Sequence, residues 1–206
     1  PGGVEEKSLI LVGGQSGTVT ALSPGSLETK TLSVFSSRTN PRVACSLRSL
    51  GEVWWAANQY LHVMDAEQLT VKCSILAHRG KILCLGVLAD AEDVCLVVSA
   101  SWDCSISLWD ARRRAMLHKI IPAHSSSARC LLPLPLIGTP SVEKRWSDMV
   151  RTRHLLRLVS AGQDGTIHAW TLYATGVTAQ RVSLVLSTPQ ITVGSMAGES
   201  TGEKRT

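Results

Sequence analysis

The stretch SASWDCSISLWD, residues 99–110, has two short runs of small and apolar residues on either side of a polar turn at Asp103. Apolar and polar side chains alternate over SISLWD (105–110), which predicts a strand with one buried face. The run CLVVSAS (95–101) before the turn is also apolar and predicts a second strand. The stretch therefore predicts a β-hairpin, and whether the chain repeats this unit decides the fold.

Three further segments have the same shape: small residues, a polar turn, and an alternating strand that ends in a large apolar residue. The best match is SAGQDGTIHAW at 160–170, which has Asp164 in the turn and Trp170 at the end. LVGGQSGTVTAL (11–22) and VWWAANQYLHVMD (53–65) match more weakly. The hairpin is therefore a repeated unit.

The large residues that end each copy set the spacing of the repeat; they are Leu22, Met64, Trp109 and Trp170. The first two steps, 42 and 45 residues, match the period of a four-stranded propeller blade. The third step of 61 residues is longer by about one polar segment, which we place at 138–153. One further strand is predicted after each anchor and another before the next hairpin.

These hairpins resemble the WD40-repeat β-propellers, and the resemblance covers residues 8–188. It implies that each complete blade contains a hydrogen-bonded tetrad of a loop His, a strand Ser, the turn Asp and the strand Trp. Each His follows an Ala where that family usually has Gly. Two complete tetrads are present at matching positions: His78, Ser99, Asp103 and Trp109, and His124, Ser160, Asp164 and Trp170.

The predicted fold is therefore all-β, a WD40-type propeller of about four four-stranded blades. Propellers of this family usually have more blades, and the first repeat has little sequence before its hairpin. We therefore expect a partial or open arc of a larger propeller with further blades upstream. Residues 1–7 are predicted to be a disordered leader and the polar residues 189–206 a disordered tail.

The composition and charge of the chain make some classes of function less suitable than others. The chain of 206 residues is 44% hydrophobic and 18% charged, with a formal net charge of +5. The charge is mild and lacks dense Lys/Arg runs, so nucleic-acid binding is not favoured. No apolar segment reaches the length of a membrane span. Six cysteines without a CxxC pair are expected to be buried reduced thiols of a cytoplasmic protein; disulfides or zinc are the alternatives.

Enzyme signatures are absent from the sequence: it has no phosphate-binding loop, zinc-protease motif or nucleophile elbow. A His–Asp pair resembles half of a catalytic triad, but burial of a Trp indole and a carboxylate requires such hydrogen-bond partners in any case. We therefore interpret both tetrads as structural. We predict a protein without catalytic activity, cofactor or metal.

The resemblance also implies a partner-binding face where the hairpin turns meet the loops between blades. On the match, the residue before each turn Asp or its equivalent points outward there, and basic residues follow the tetrad histidines. This face comprises Gln15, Arg79, Lys81, Trp102, Arg129 and Gln163. Trp102 is the strongest candidate because a large aromatic side chain in a polar turn is suited to an interface; stacking on a neighbouring loop is the alternative.

The segment 138–153 is a second candidate contact, because Trp146 and Arg145 belong to a short basic amphipathic run. It could contact an acidic partner or, weakly, a membrane surface; a loop that rests its Trp on the blade is the alternative.

The predicted function is a protein–protein interaction or scaffold module, the C-terminal part of a multidomain intracellular regulator. Its partners are other proteins or other domains of its own chain, and exchange factors for small GTPases are one class with such propellers. The alternatives are an enzyme domain on a propeller scaffold and a basic surface for membrane or nucleic acid.

Overall fold

The computed structural model describes residues 10–14, 17–22, 28–33, 41–91, 94–134, 155–178, 181–186 and 192–193. This part of the chain contains sixteen β-strands and one short 3-10 turn, and it has no α-helix. The prediction of an all-β chain is therefore confirmed for the described residues.

The strands form four antiparallel sheets that follow one another along the chain, and none of them closes on itself. Sheet I contains β1 (Ile10–Gly13), β2 (Thr18–Leu22) and β3 (Thr29–Ser33). Sheet II contains β4 (Pro41–Leu47), β5 (Glu52–Ala57), β6 (Tyr60–Asp65) and β7 (Val71–Leu76). Sheet III contains β8 (Ile82–Asp90), β9 (Cys95–Ser101), β10 (Ile106–Asp110) and β11 (Ala115–Ile120). Sheet IV contains β12 (Ala128–Leu134), β13 (Leu155–Gly162), β14 (Ile167–Thr178) and β15 (Arg181–Leu186), with β16 (Thr192–Val193) paired to β14.

The hairpins of sheets I, III and IV share one register, with the anchor 12 residues after its partner, and the hairpin of sheet II is shorter by one residue. Each anchor lies opposite an apolar residue of the preceding strand; the pairs are Leu22 with Ile10, Met64 with Val53, Trp109 with Val97, and Trp170 with Leu158. Neighbouring strands in each sheet are also neighbours in sequence, apart from β16. The predicted repeat therefore corresponds to a repeated antiparallel meander.

Some boundaries differ from the sequence prediction. The segment VACSLRSL (43–50) precedes the second hairpin, where one of the further strands is predicted, but β4 ends at Leu47 and a 3-10 turn follows at Arg48–Leu50, ended by Gly51 with φ +59°. The segment 138–153 lies outside the described residues, between the paired strands β12 and β13. Residues 1–7 are also outside them, as is the predicted tail except for the short strand β16.

Three hydrophobic clusters join the sheets face to face. Because side chains alternate along a strand, each inner sheet buries one set of residues on each side. In β5, Trp54 packs in the cluster shared with sheet III, whereas Trp55 packs in the cluster shared with sheet I. In β9, Val97 faces sheet II and Val98 faces sheet IV. The sheets therefore form a stack in chain order, in which β8 contacts both β4 and β12.

Candidate interaction surface

The first predicted tetrad forms a continuous hydrogen-bonded chain in sheet III. The Trp109 indole N–H donates to Ser99 Oγ over 2.9 Å, and His78 Nε2 lies 2.8 Å from that oxygen. On the other side of the ring, His78 Nδ1 lies 3.2 Å from both carboxylate oxygens of Asp103. Ser99, His78 and Trp109 are buried.

The direction of these bonds follows from the chemistry of the groups. The indole N–H is a donor only and the carboxylate is an acceptor only. Ser99 therefore accepts from Trp109 and donates its own proton to His78 Nε2, while His78 Nδ1–H donates to Asp103. This arrangement needs a neutral imidazole with its proton on Nδ1.

Sheet IV repeats the arrangement. Trp170 Nε1 donates to Ser160 Oγ over 2.8 Å, His124 Nε2 lies 2.8 Å from that oxygen, and His124 Nδ1 lies 3.2 Å from Asp164 Oδ1. The His124 ring also stacks on His168, with 4.5 Å between the ring centroids. Every residue of both predicted tetrads is therefore in hydrogen-bonding contact within its own set.

Electrostatics favour a neutral His and an ionised Asp in both networks. Burial lowers the pKa of His78 and His124 below 6.5 and outweighs the nearby carboxylates, which raise it. Burial raises the pKa of Asp103, but hydrogen bonds from Ser105 and the Arg79 backbone N–H, with the positive charge of Lys119, lower it well below its ordinary value. The pKa of Asp164 is lowered in the same way, against burial, by hydrogen bonds from Thr166 and Ser125.

The histidines also connect successive sheets. The backbone N–H groups of Ala77 and His78 donate to the Gln59 carbonyl in the hairpin turn of sheet II. Ala123 and His124 donate in the same way to the Cys104 carbonyl in the turn of sheet III. Each network therefore fixes a loop to its own sheet through side chains and to the preceding sheet through the backbone.

An open recess of about 450 Å³ lies at this end of sheets II and III. It contains three of the six residues predicted for the partner-binding face, Arg79, Lys81 and Trp102. Trp102 is 51% exposed, and Lys81 Nζ lies 5.1 Å from the centroid of its ring. The alternative considered for Trp102, stacking on a neighbouring loop, is thus partly realised through Lys81, and half of the side chain still faces solvent.

The loop under Trp102 approaches the hairpin turn closely at Gly80. A Cβ atom at Gly80 would lie 2.7 Å from the Asp103 backbone N and 3.1 Å from Trp102 Cβ. The Trp102 N–H donates to the Lys81 carbonyl over 2.9 Å, which fixes the turn to the loop. Glycine therefore allows the contact that holds Arg79, Lys81 and Trp102 together.

The other predicted face residues are not in this recess. Gln163 Oε1 accepts hydrogen bonds from Arg129 and Ser127, each over 2.8 Å. Gln163 and Arg129 therefore contact each other at the turn of sheet IV, apart from the recess. Gln15 and the predicted insertion contacts Arg145 and Trp146 lie outside the described residues.

The recess also has lining residues from sheet II that the sequence analysis missed, Asn58, Gln59 and Tyr60. Asn58, with φ +53°, and Gln59 form the two-residue turn of sheet II, which has no turn Asp, and Tyr60 begins β6. Tyr60 is 39% exposed. The sequence does contain a signal for these residues. When the repeat VWWAANQYLHVMD (53–65) is aligned with residues 99–110, its turn falls at the same position as the turn that contains Trp102.

A buried ion pair between sheets II and III was also missed. Glu52, which is buried, accepts from Arg114 over 2.9 Å and from Lys72 over 3.3 Å. Lys72 in turn lies 3.0 Å from Asp65. These contacts lie at the end of the sheets opposite the recess and stabilise the stack.

The described part of the chain contains no cluster of three or more His, Cys, Asp or Glu residues that could hold a metal ion. The six cysteines are free, but only Cys95 is fully buried, and Cys130 is exposed because it lies on the outward side of β12. Burial raises the pKa of the Cys45 thiol to about 12, which disfavours its thiolate. No helix in these residues is long and apolar enough to cross a bilayer.

Comparisons with known proteins assign no family to the chain, because no family model matches it and no curated protein matches it in sequence. The WD40 resemblance therefore stays a prediction.

The two hydrogen-bonded networks predict that replacing Trp109 or Trp170 destabilises the protein more than replacing Trp102 does. Trp109→Ala and Trp170→Ala should each lower the free energy of unfolding by about 3–5 kcal/mol, because each removes a buried aromatic ring and leaves a Ser without its donor. Trp102→Ala, the matched control, should change it by less than about 1 kcal/mol because the ring is half exposed. Urea unfolding measures all three, and equal stability of the wild type and the two buried variants would contradict the assignment.

The pKa shifts predict loss of stability in acid. Below pH 6.5 the unfolded chain binds more protons at His78 and His124 than the folded chain does, so the free energy of unfolding decreases as pH falls. A second loss should follow below pH 3.8, when Asp103 and Asp164 are protonated. Urea unfolding between about pH 7.5 and pH 5 measures the first loss.

His62 needs a control in this experiment, because burial lowers its pKa as well. The variant His62→Gln removes that contribution and should retain most of the slope with pH. A free energy of unfolding in His62→Gln that stays constant or increases on acidification would contradict the neutral-histidine networks.

Proposed function

We propose that the chain is a non-catalytic protein-interaction module built as a WD40-type β-propeller arc. The observation that carries the proposal is the pair of Trp–Ser–His–Asp chains, which repeat with the same atoms and nearly the same distances in sheets III and IV. The sheets stack face to face, and β8, the first strand of sheet III, contacts β4 and β12, the first strands of sheets II and IV. These contacts support an arrangement in which the sheets radiate from an axis beside their first strands.

A structural role for the Ser–His–Asp sets is favoured over a catalytic one. In a serine hydrolase the Ser Oγ must reach a substrate carbonyl. Here Ser99 and Ser160 are buried, and each Oγ already accepts the indole N–H of its Trp. Among the residues that the structure describes, no carboxylate or histidine side chain that could act as a general acid or base lines the recess.

The recess supports the choice of binding surface. Aromatic and arginine side chains contribute a large share of the energy at protein interfaces. Tyr60, Trp102 and Arg79 meet at one exposed recess, and hydrogen bonds hold the backbone under it in place. The proposed occupant is a protein, either a separate partner or another domain of the same chain.

The cellular role is proposed on the resemblance alone. Propeller arcs of this kind occur in large intracellular regulators, exchange factors for small GTPases among them, and we place the module in that broad class. A cytoplasmic location is part of the same proposal.

The test is affinity capture with matched variants. The chain, carrying a tag, is used to capture proteins from a cell extract, and the captured set is quantified for the wild type, Trp102→Ala and Arg79→Glu. Arg112→Glu is the control, because it makes the same charge change in the exposed turn at the opposite end of sheet III.

Both recess variants should deplete the same proteins and the control should keep them, while all variants melt like the wild type. Identical captured sets from all four proteins would contradict the proposed binding surface.

A further inference from the structure

Two positive charges at the recess lack an acidic partner within the described residues. The Arg79 guanidinium makes no ion pair there, and the Lys81 ammonium contacts only the Trp102 ring. By contrast, Lys72 and Arg114 at the opposite end of the sheets are held by Glu52. Arg79 and Lys81 therefore remain available to an incoming anion.

The nearest carboxylate does not offset these charges. Asp103 faces inward, where it accepts from His78, from Ser105 and from the Arg79 backbone N–H. Lys119 lies 3.3 Å from it and balances its charge. The mouth of the recess is therefore positively charged.

The walls of the recess are aromatic. Tyr60 comes from sheet II and Trp102 from sheet III, and both are partly exposed. Lys81 covers part of the Trp102 ring, which holds the ammonium group at the rim through a cation–π contact. A ligand with a small apolar side chain between two carboxylates would contact the rings and both cations.

We propose that this recess binds an acidic, extended segment of a protein, with carboxylates paired to Arg79 and Lys81 and an apolar side chain between Tyr60 and Trp102. This inference rests on the proposed function and names the chemistry of the partner. A volume of about 450 Å³ holds only a few side chains. A nucleic acid is less suited, because it needs a longer row of cations along its phosphates.

The test is fluorescence anisotropy with a labelled seven-residue peptide that has three Asp or Glu residues on each side of a Leu. The control peptide carries Asn and Gln in place of the acids. The acidic peptide should bind, and the neutral peptide should bind at least about tenfold more weakly. Binding should weaken as salt is raised, because the contacts lie near solvent.

Variants of the recess residues test whether the acidic peptide binds in the recess. Arg79→Glu and Lys81→Glu should each weaken the acidic peptide by about tenfold, and Arg112→Glu by less than about twofold. Arg79→Gln adds no negative charge beside Asp103 and should weaken binding with an unchanged melting temperature. Trp102→Ala should weaken both peptides because it removes an aromatic wall.

The remaining outcomes separate this inference from the proposed function. Equal binding of the two peptides, or binding that Arg79→Gln and Lys81→Glu leave unchanged, overturns the inference. So does tighter binding of oligo-dT or phosphatidylserine vesicles through the same residues. If the acidic peptide fails while Trp102→Ala still depletes captured proteins, the inference is wrong and the proposed function stands.

Discussion

The structure depends on one constraint that applies at Trp109 and at Trp170: each of these two buried indole N–H groups needs an acceptor, and each finds one in a serine hydroxyl. Trp109 provides the large apolar ring that fills the space between sheets II and III, and its N–H begins a chain that ends at an ionised carboxylate. The same chain begins at Trp170 between sheets III and IV. Hydrophobic packing and hydrogen bonding are thus coupled in one side chain at each of these junctions.

The same constraint also determines the position of the recess that we propose as a binding surface. His78 can accept from Ser99 and donate to Asp103 only if its loop lies over the turn of its own sheet. That loop is also hydrogen-bonded to Gln59 in the preceding turn, so two turns and one loop are held at a single location. Arg79 and Lys81, which follow His78, are therefore presented beside Trp102 and Tyr60 on a fixed backbone. The recess results from the way in which the sheets are joined.

The sequence was sufficient for the hairpins, because alternation and turn residues are local signals. It placed the hairpin of β9 and β10 around Asp103. The resemblance to WD40 repeats predicted the members of both tetrads, although His78 and Ser99 are 21 residues apart and His124 and Ser160 are 36 residues apart. Local patterns were therefore enough for the hairpins, and the tetrads needed the family resemblance.

Other features depend on how sheets meet, and the sequence did not display them. Tyr60 reaches the recess because loop 77–82 lies on the turn of sheet II, and nothing in its own strand indicates that contact. Glu52 and Arg114 are 62 residues apart and pair only across two stacked sheets. The turn of sheet II has Asn58, with positive φ, in place of an Asp. Sheets I and II are therefore joined without a tetrad of this kind.

The hydrogen bonds of both networks require His78 and His124 to be neutral imidazoles with the proton on Nδ1. Nitrogen-15 NMR of the imidazole rings near neutral pH distinguishes the two neutral tautomers from the cation. We expect His78 and His124 to show the Nδ1–H tautomer, and substitution of Ser99 or Ser160 should perturb one of them at a time. Nε2–H tautomers or imidazolium ions at both positions would contradict the account.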